Sequence, residues 1–425
     1  MTFSLLAVGD LHLGARPSRL PDELTGRSAE LGTAGAWRRI VDQALEAAVD
    51  AVVLVGDVVE DEDDFFEAYR ELATGVERLL AANIRILGVV GNHDYRVLPR
   101  LADQLPGFEL LGRGGEWESL TLAPEGTPLT LHGWSFPAAR YRESPLAGVS
   151  LARGPGINLG ILHADRDQPA SPYAPVSSAD LTGAGLDGWL LGHIHKPDAL
   201  TAASPNGYLG SATGLDPGEA GPRGPWLFEL DGCGVQRVTQ WCLAPLHWDR
   251  LSVDLTGITA PEDAREHLQS AVHALDDALM DHRMPPEAVA LRVVFSGRTD
   301  MGTGVSQLME QESLDALHAG GGRIHYFVET LRYSVQPTID LAELARRGDP
   351  VGLLAQRLLL LDRDKDDPER QALIQEAQQH LRQQAERSQW QALPSQAISE
   401  ADAVDWLRRG GMAALEGLLA QGRAA

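Results

Sequence analysis

Residues 1–245 alternate short apolar runs with amphipathic segments, and this alternation constrains the fold more than any other feature of the chain. Runs of four to eight apolar residues that are bounded by turn signals are typical of buried strands. The pattern predicts an α/β sandwich in which helices pack on sheets. The runs that we assign to strands are residues 3–8, 51–55, 84–90, 157–162 and 188–191.

Two segments between these strands carry apolar residues at helical spacing, so each predicts a helix with one face on a sheet. The first set is Trp37, Ile40, Val41, Ala44, Leu45 and Ala48, and the second is Phe65, Tyr69, Leu72, Val76 and Leu79.

The pattern changes near Pro245 and again after Gly348, which predicts three domains. Residues 247–255, 288–296 and 323–335 are strand-like, and residues 261–279 and 314–318 are helical, as expected of a small α/β unit.

In the tail that follows, helix-forming residues dominate, with Pro394 and Gly410-Gly411 predicted to separate helices. The tail is rich in Gln, Ala, Arg and Leu, a composition that does not favour a core of its own. The predicted domains are residues 1–245, 246–345 and 346–425, and the predicted tail helices are residues 351–361, 367–390 and 401–419.

Composition excludes several classes of protein. The 36 basic and 60 acidic residues give a formal charge of -24, which works against unaided, tight binding of nucleic acid. Two cysteines, Cys233 and Cys242, are too few for a disulfide framework or a cysteine zinc site. The first residues contain no basic leader, and no apolar run reaches the roughly 18 residues of a membrane span. We therefore expect a cytoplasmic protein with reduced thiols and no membrane partner.

Polar motifs follow five of the predicted core strands at their carboxyl ends, where α/β proteins build their sites. Each motif alone is more often a turn, a helix cap or a surface pair. Their combination indicates a metal site. The motifs are Gly9-Asp10-Leu11-His12, Gly56-Asp57, Gly91-Asn92-His93-Asp94, His163 and Gly192-His193-Ile194-His195.

The residue types in these motifs suit two divalent cations. Asp10 and Asp57 supply two negative charges against four positive ones, which leaves about two positive charges to attract a hydroxide and a phosphate diester oxygen. Asp57 is the natural bridge between ions about 3.5–4 Å apart. The neutral donors are His12, Asn92, His163, His193 and His195.

These motifs resemble the five-part signature of calcineurin-like metallophosphoesterases over about the first 215 residues. The segments at 208–211, 215–216 and 218–221 are similar to those that follow the last ligand in the SbcD-type DNA-repair exonucleases of that superfamily. The second α/β unit, including residues 291–299, also resembles that branch. The resemblance implies a nuclease domain at 1–245, a capping domain at 246–345 and a helical region at 346–425. Two roles of the helical region stay open, docking onto a partner and packing on its own protein.

The resemblance also implies how the ligands divide between two ions. One ion is held by Asp10, His12, Asp57 and His195, and the other by Asp57, Asn92, His163 and His193. Manganese is the metal that the family implies, although the ligand types also suit iron or zinc. His93 is implied as the catalytic residue, which stabilises the scissile phosphate and protonates the leaving oxygen without binding metal.

Glu60 departs from the pattern of the family. Three residues after the bridging aspartate, some nucleases carry a histidine and many phosphatases an aspartate that orients the catalytic histidine. One hypothesis is that the Glu60 carboxylate orients His93. The alternative is that Glu60 only opens an acidic, solvated turn at residues 60–64. A further histidine, His132, is predicted to be a hydrogen-bonded core residue in a strand at 129–136.

Three functions are compatible with this sequence. The leading one is a DNA exonuclease or endonuclease in DNA repair, whose implied partners are a coiled-coil, SbcC-like ATPase and a second copy of the chain. The second is hydrolysis of a nucleotide or another small phosphoester. The third is a scaffold that has lost turnover, against which the intact ligands and His93 argue.

Overall fold

The computed structural model describes residues 2–60, 65–122, 127–311, 322–336, 338–385 and 399–423. The chain divides into two compact units, residues 1–336 and residues 337–425. The predicted boundaries at residues 245 and 345 remain predictions.

The first unit contains three sheets and their helices in the described part of the chain. Its elements are β1 (Phe3–Gly9), α1 (Asp22–Thr25), α2 (Ser28–Leu31), α3 (Thr33–Glu46), β2 (Ala51–Val55), α4 (Phe65–Ala81), β3 (Arg85–Val89), α5 (Val97–Asp103), β4 (Phe108–Leu110), β5 (Trp117–Leu122), β6 (Leu129–Trp134), β7 (Ile157–His163), α6 (Ser178–Gly183), β8 (Gly188–Gly192), β9 (Asn206–Tyr208), β10 (Trp226–Asp231), β11 (Gly234–Gln240), β12 (Leu246–Asp254), α7 (Asp263–Met280), β13 (Ala288–Ser296), α8 (Gly302–Gln311) and β14 (His325–Tyr333).

Two of these sheets form the predicted sandwich. The first has the strand order β11-β10-β1-β2-β3-β4 and the second β5-β6-β7-β8-β9. Leu5 of β1 and Val53 of β2 belong to one buried apolar cluster with Leu131 and Ile161 of the second sheet, so the sheets pack face to face. Helices α3, α4 and α5 cover the outer face of the first sheet through a second apolar cluster. The α/β fold and the five core strands predicted from the sequence are confirmed.

The strand directions bring the polar motifs to one edge of the sandwich. Strands β1, β2 and β3 are parallel, and so are β7 and β8. The carboxyl ends of β2 and β7 meet where the His163 Nδ1 atom lies 3.2 Å from the Val55 carbonyl oxygen. The loops that follow these strands therefore face a common space.

The third sheet forms the predicted small α/β unit. Its strands β12, β13 and β14 are parallel, and α7 packs against them. The predicted helix at 314–318 lies outside the described residues, whereas α8 was not predicted. The sheet contacts the loop region after β1 through an apolar cluster that includes Leu24, Trp248 and Phe327.

An ion-pair network around Glu329 reinforces this contact. The Glu329 side chain is only 4% exposed and lies 2.5 Å from Arg19 and 2.9 Å from Arg292. Burial raises the pKa of Glu329, but hydrogen bonds from Thr330, Arg292 and Arg19 outweigh burial and lower it to about 2. The charged carboxylate therefore stabilises the folded chain at neutral pH.

Glu329→Gln is expected to lower the free energy of unfolding by about 1.5–3 kcal/mol at pH 7, the range for hydrogen bonds to a charged group. Because the pKa of Glu329 is lower in the folded chain than its ordinary value of 4.5, this contribution is present above pH 4.5 and is lost as the pH falls towards 2. Urea unfolding of both proteins at pH 7 and pH 3 checks this. An equal difference at the two pH values would contradict it.

The second unit is helical and has its own apolar core. Its elements are α9 (Leu341–Leu344), α10 (Pro350–Leu360), α11 (Pro368–Ala385) and α12 (Glu400–Arg423). Val351, Leu358, Ile374 and Leu415 are buried together, so the tail packs a core although its composition did not favour one. Residues 386–390 of the predicted second tail helix, and Pro394, lie outside the described residues.

One prediction about this unit is wrong. Gly410 and Gly411 were predicted to separate helices, but α12 is continuous through both of them, in keeping with the predicted range 401–419. A Cβ atom at position 411 would lie 2.7 Å from Leu358 Cδ2, so this glycine allows α12 to pack closely on α10. In the described part of the chain, no helix combines the length and the apolar character that crossing a membrane requires.

Candidate metal centre

The seven predicted ligands converge at the carboxyl ends of five strands. Asp10 and His12 follow β1, Asp57 follows β2, and Asn92 follows β3. His163 is the last residue of β7, and His193 and His195 follow β8. The two histidines after β8 are partly exposed and the other five residues are buried. The sandwich thus collects residues that are up to 185 positions apart in the chain into one place.

The ligand atoms form two groups. The carboxylate of Asp10 and the rings of His12 and His195 offer atoms that lie within 4.8 Å of one another, and Nε2 of His12 is 3.1 Å from Nε2 of His195. Asp57, His163 and His193 form a second such group. Asn92 Oδ1 lies 3.1 Å from His163 Nε2 and so adjoins the second group. This grouping follows the division that the family resemblance implies.

Asp57 lies between the two groups. Its Oδ2 atom is 3.1 Å from His163 Nε2 and 3.9 Å from His12 Nε2. Its Oδ1 atom accepts a hydrogen bond of 2.9 Å from the main-chain N–H of His93. One carboxylate oxygen is thus fixed by the backbone while the other faces both groups, as a bridging ligand requires.

Asp10 provides a test of whether a cation fits. Its Oδ1 atom accepts a hydrogen bond of 2.8 Å from the main-chain N–H of His193. Its Oδ2 atom is buried and has no hydrogen-bond partner among the described residues. A buried carboxylate oxygen without a partner is costly, and a divalent cation is the kind of group that removes this cost. The residues therefore fit bound metal ions.

The backbone at the site is strained. Asp10, His12, Asp57 and His193 all have positive φ angles, of 36°, 49°, 45° and 97°. Such conformations are unfavourable for residues other than glycine and are concentrated at functional sites. Gly91 permits the close approach of two loops, since a Cβ atom there would lie 2.1 Å from Asp57 Oδ1.

The two carboxylates perturb the histidines around them. Burial lowers the pKa of His163, but the charge and hydrogen bond of Asp57 outweigh burial and raise it to about 9. Burial likewise lowers the pKa of His12, and the contacts with Glu60 and the charge of Asp57 raise it to about 9. Burial and the neighbouring His163 lower the pKa of His193 to about 4. The carboxylates of Asp57 and Glu60 therefore favour positive charge on His163 and His12, whereas burial and His163 disfavour it on His193.

His93 lies beside the two groups with an accessible ring. Its side chain is 44% exposed, and its ring centroid is 5.2 Å from that of His12. The ligand atoms of His93, His12 and Glu60 also lie within 4.8 Å of one another. The imidazole of His93 is therefore accessible to solvent beside the two groups of donors.

Glu60 is placed differently from the hypothesis drawn from the sequence. Its Oε2 atom is 2.5 Å from His12 Nδ1, whereas its Oε1 atom is 3.9 Å from His93 Nδ1, too far for a hydrogen bond. The main-chain oxygen of Glu60 is closer to His93 Nδ1, at 3.3 Å. The carboxylate thus contacts the ring of a predicted ligand, and residues 61–64 of the alternative hypothesis lie outside the described residues.

Glu60→Gln is expected to weaken Mn²⁺ binding by about tenfold, because the charge that contacts His12 is removed. The value of kcat at saturating Mn²⁺ should fall far less than the roughly 100-fold of a lost acid catalyst, since the main-chain contact to His93 remains. Metal titration and steady-state kinetics measure the two effects. A 100-fold loss of kcat with unchanged metal affinity would instead favour the original hypothesis.

Three acidic residues at the site have no predicted role. Asp94 is fully buried, and its carboxylate accepts hydrogen bonds of 2.6 Å from Val58 N–H and 2.8 Å from Gly91 N–H, which ties two ligand loops together. Asp165 contacts His193, and Glu219 contacts His195. Asp94 and Glu219 lie within motifs noted in the sequence, and Asp165 is two residues from a ligand, but spacing alone does not reveal these contacts.

His132 is a core residue, as predicted. It is fully buried in β6, with its ring nitrogens 2.7 Å from Ser119 Oγ and 3.0 Å from Asn158 Oδ1. Both ring nitrogens thus have partners away from the metal centre.

Two segments of the first unit are similar in sequence to known protein families. Residues 3–197 match the family of calcineurin-like phosphoesterases, and residues 248–336 match the middle domain of the metallophosphoesterase YhaO. The chain is 25% identical over 342 residues to the uncharacterized metallophosphoesterase YhaO of Bacillus subtilis, across 77% of this chain and 80% of that protein. It is 27% identical over 337 residues to the DNA double-strand break repair protein Mre11 of Haloferax volcanii, across 73% of this chain and 68% of that protein.

Among solved structures, the calcineurin-like phosphoesterase YfkN from Bacillus subtilis is 14% identical, with a TM-score of 0.38 over 65% of this chain and 98% of that chain. The sequence match over residues 3–197 covers all seven predicted ligands and His93. Residues 3–197 therefore belong to the calcineurin-like phosphoesterases, a family of hydrolases that use divalent metal ions.

Proposed function

We propose that the protein is a two-metal phosphodiesterase that cleaves DNA ends. The observation that carries this proposal is the position of Asp57, whose free oxygen faces both groups of donors beside the exposed His93. The predicted ligands of the two ions are Asp10, His12, Asp57 and His195 for the first, and Asp57, Asn92, His163 and His193 for the second.

The residues of the chain divide the chemistry between them. When bound, two divalent ions lower the pKa of a water molecule and neutralise charge on the phosphate. Asp57 and Asp10 hold the ions through oxygens that the backbone leaves free, and His93 donates a proton to the leaving oxygen. The catalytic role of His93 is consistent with its exposure and with the main-chain hydrogen bond that anchors it to Asp57. We propose Mn²⁺ as the metal.

Support for DNA as the substrate comes from the relatives. The similarity to the Haloferax volcanii DNA double-strand break repair protein extends over 337 residues and therefore beyond the segment that carries the ligands. We propose that the chain belongs to the SbcD-type branch, that residues 246–345 cap the centre, and that the protein acts in the cytoplasm.

The charge of the chain bears on its partners. At -24, the protein repels DNA phosphates outside the metal centre, so a partner that grips DNA would offset this repulsion. We propose an SbcC-like coiled-coil ATPase as this partner, docked on residues 346–425, and a homodimer as the working assembly.

The test is cleavage of end-labelled linear duplex DNA, single-stranded DNA and bis-p-nitrophenyl phosphate with Mn²⁺, by wild type and His93→Ala. Stepwise shortening of DNA that is lost in the variant is the expected result. Cleavage of the small ester with DNA untouched, also in the presence of the ATPase partner, would overturn the DNA assignment and favour a small phosphoester as substrate.

A further inference from the structure

In each half of the candidate metal centre, a carboxylate lies behind the histidine that comes from the loop after β8. An imidazole that binds a metal through one nitrogen usually donates a hydrogen bond from the other, and the acceptor fixes the tautomer and the orientation of the ring. Glu219 and Asp165 occupy this position for His195 and His193, which follow the same strand.

Glu219 lies behind the first group of donors. Its Oε1 atom accepts a hydrogen bond from His195 Nδ1, while His195 Nε2 faces His12 Nε2 at 3.1 Å. The other oxygen of Glu219 accepts a hydrogen bond of 2.8 Å from the main-chain N–H of Leu215, so the carboxylate is held at both oxygens. The side chain of Glu219 is 17% exposed, which limits competition from water.

The backbone that carries His195 and Glu219 is also fixed. Arg223 is buried and donates to the main-chain oxygen of His195, and its Nε atom donates to the main-chain oxygen of Glu219 at 3.3 Å. One guanidinium thus connects the two residues whose side chains already touch. The ring of His195 has little freedom to turn away from the centre.

Asp165 has the equivalent place behind the second group. Its Oδ2 atom lies 3.4 Å from His193 Nε2 and accepts a hydrogen bond from Ser171 Oγ. Because Nε2 lies beside Asp165, Nδ1 is the nitrogen of His193 that remains for a metal ion in the group with Asp57 and His163. The ring of Tyr173 packs on the His193 ring with centroids 5.0 Å apart, which restricts its rotation.

We infer that Glu219 and Asp165 are positioning residues, each of which sets the affinity for a different metal ion of the centre. The inference rests on the proposed two-metal function. Glu219 acts through His195 and Asp165 acts through His193. The loss of either carboxylate should therefore lower the affinity for one ion and leave the affinity for the other unchanged.

The test measures bound Mn²⁺ by equilibrium dialysis and metal analysis of the metal-free full chain. Wild type is expected to bind two ions. Glu219→Ala and Asp165→Ala should each lower the affinity for one ion by about ten- to a hundredfold, the range for loss of such a hydrogen-bond acceptor. Glu219→Gln and Asp165→Asn keep an acceptor oxygen and should lose less. Circular dichroism of the metal-free variants checks that they fold.

A background variant assigns each carboxylate to its ion. The His195→Ala variant already binds the first ion weakly. Adding Glu219→Ala to this variant should leave the affinity for the second ion unchanged, whereas adding Asp165→Ala should lower it. Asp249→Ala is the matched control, because Asp249 pairs with His247 at the same distance of 3.4 Å outside the centre. This control should bind both ions as wild type does.

The outcomes distinguish failure of the proposed two-metal function from failure of this inference. A wild-type chain that binds fewer than two ions would overturn the proposed two-metal function together with this inference. If wild type binds two ions, either of two results would overturn this inference alone. One is that the folded alanine variants bind both ions with unchanged affinity, and the other is that each variant lowers the affinity for both ions equally.

Discussion

Asp57→Asn is expected to reduce phosphodiesterase activity by at least about a thousandfold, because metal ions contribute several kcal/mol to the transition state and each 1.4 kcal/mol is a factor of ten. The Oδ2 atom of Asp57 faces both groups of donors, so its charge would serve both of the proposed ions. The asparagine keeps an Oδ1 atom that can accept the hydrogen bond from His93 N–H. The loss therefore reports the missing charge rather than a displaced loop.

Bound metal and activity are measured together for this variant. Both ions should be lost at Mn²⁺ concentrations that saturate wild type. The matched control is Asp42→Asn, which removes an exposed carboxylate that pairs with Arg78 on the helical face of the sheet, and it should change neither quantity. An Asp57→Asn protein that keeps two ions and loses less than about tenfold in activity would exclude Asp57 as the bridge.

His93→Ala is expected to lower kcat by about 100- to 10,000-fold, the range for loss of a general acid. The protein should still bind two ions, because the exposed ring of His93 lies outside the two groups of donors and its anchoring hydrogen bond uses the main-chain N–H, which alanine keeps. In His93→Ala, activity should therefore fall while the amount of bound metal stays the same. In Asp57→Asn, both should fall together.

The control for this prediction is His273→Ala, which removes an exposed histidine from α7. It should leave kcat and metal content unchanged. If His93→Ala lost an ion, His93 would be a ligand in the group that it forms with His12 and Glu60. If it kept full activity, the proton donor would be another group.

The sequence predicted the sandwich and the common location of the candidate ligands because both depend on local patterns. The core strands are mostly apolar, and each ligand motif lies at or just beyond the carboxyl end of a strand, so order along the chain was sufficient to place the motifs at one edge. Pairing between distant segments leaves no such local signal. Strand β10 joins the edge of β1 from more than 200 residues away, and neither β10 nor β11 was predicted.

The same limit applies to side-chain contacts at the centre. Asp94, Asp165 and Glu219 are visible in the sequence, but their partners depend on how loops that follow different strands meet. Glu60 illustrates the difference most clearly: its position in the chain suggested a contact with His93, and the fold instead directs its carboxylate to His12. The glycine pair in α12 was misread for a similar reason, since Leu358, on which Gly411 packs, lies in another helix.

The most direct test of the two-metal centre is a crystal structure of the full chain grown with Mn²⁺, with anomalous difference density measured at the edge of manganese. Two peaks are expected about 3.5–4 Å apart on either side of the Asp57 carboxylate. One peak should contact Asp10, His12 and His195, and the other Asn92, His163 and His193. A single peak, no peak, or peaks that lie away from Asp57 would contradict the account.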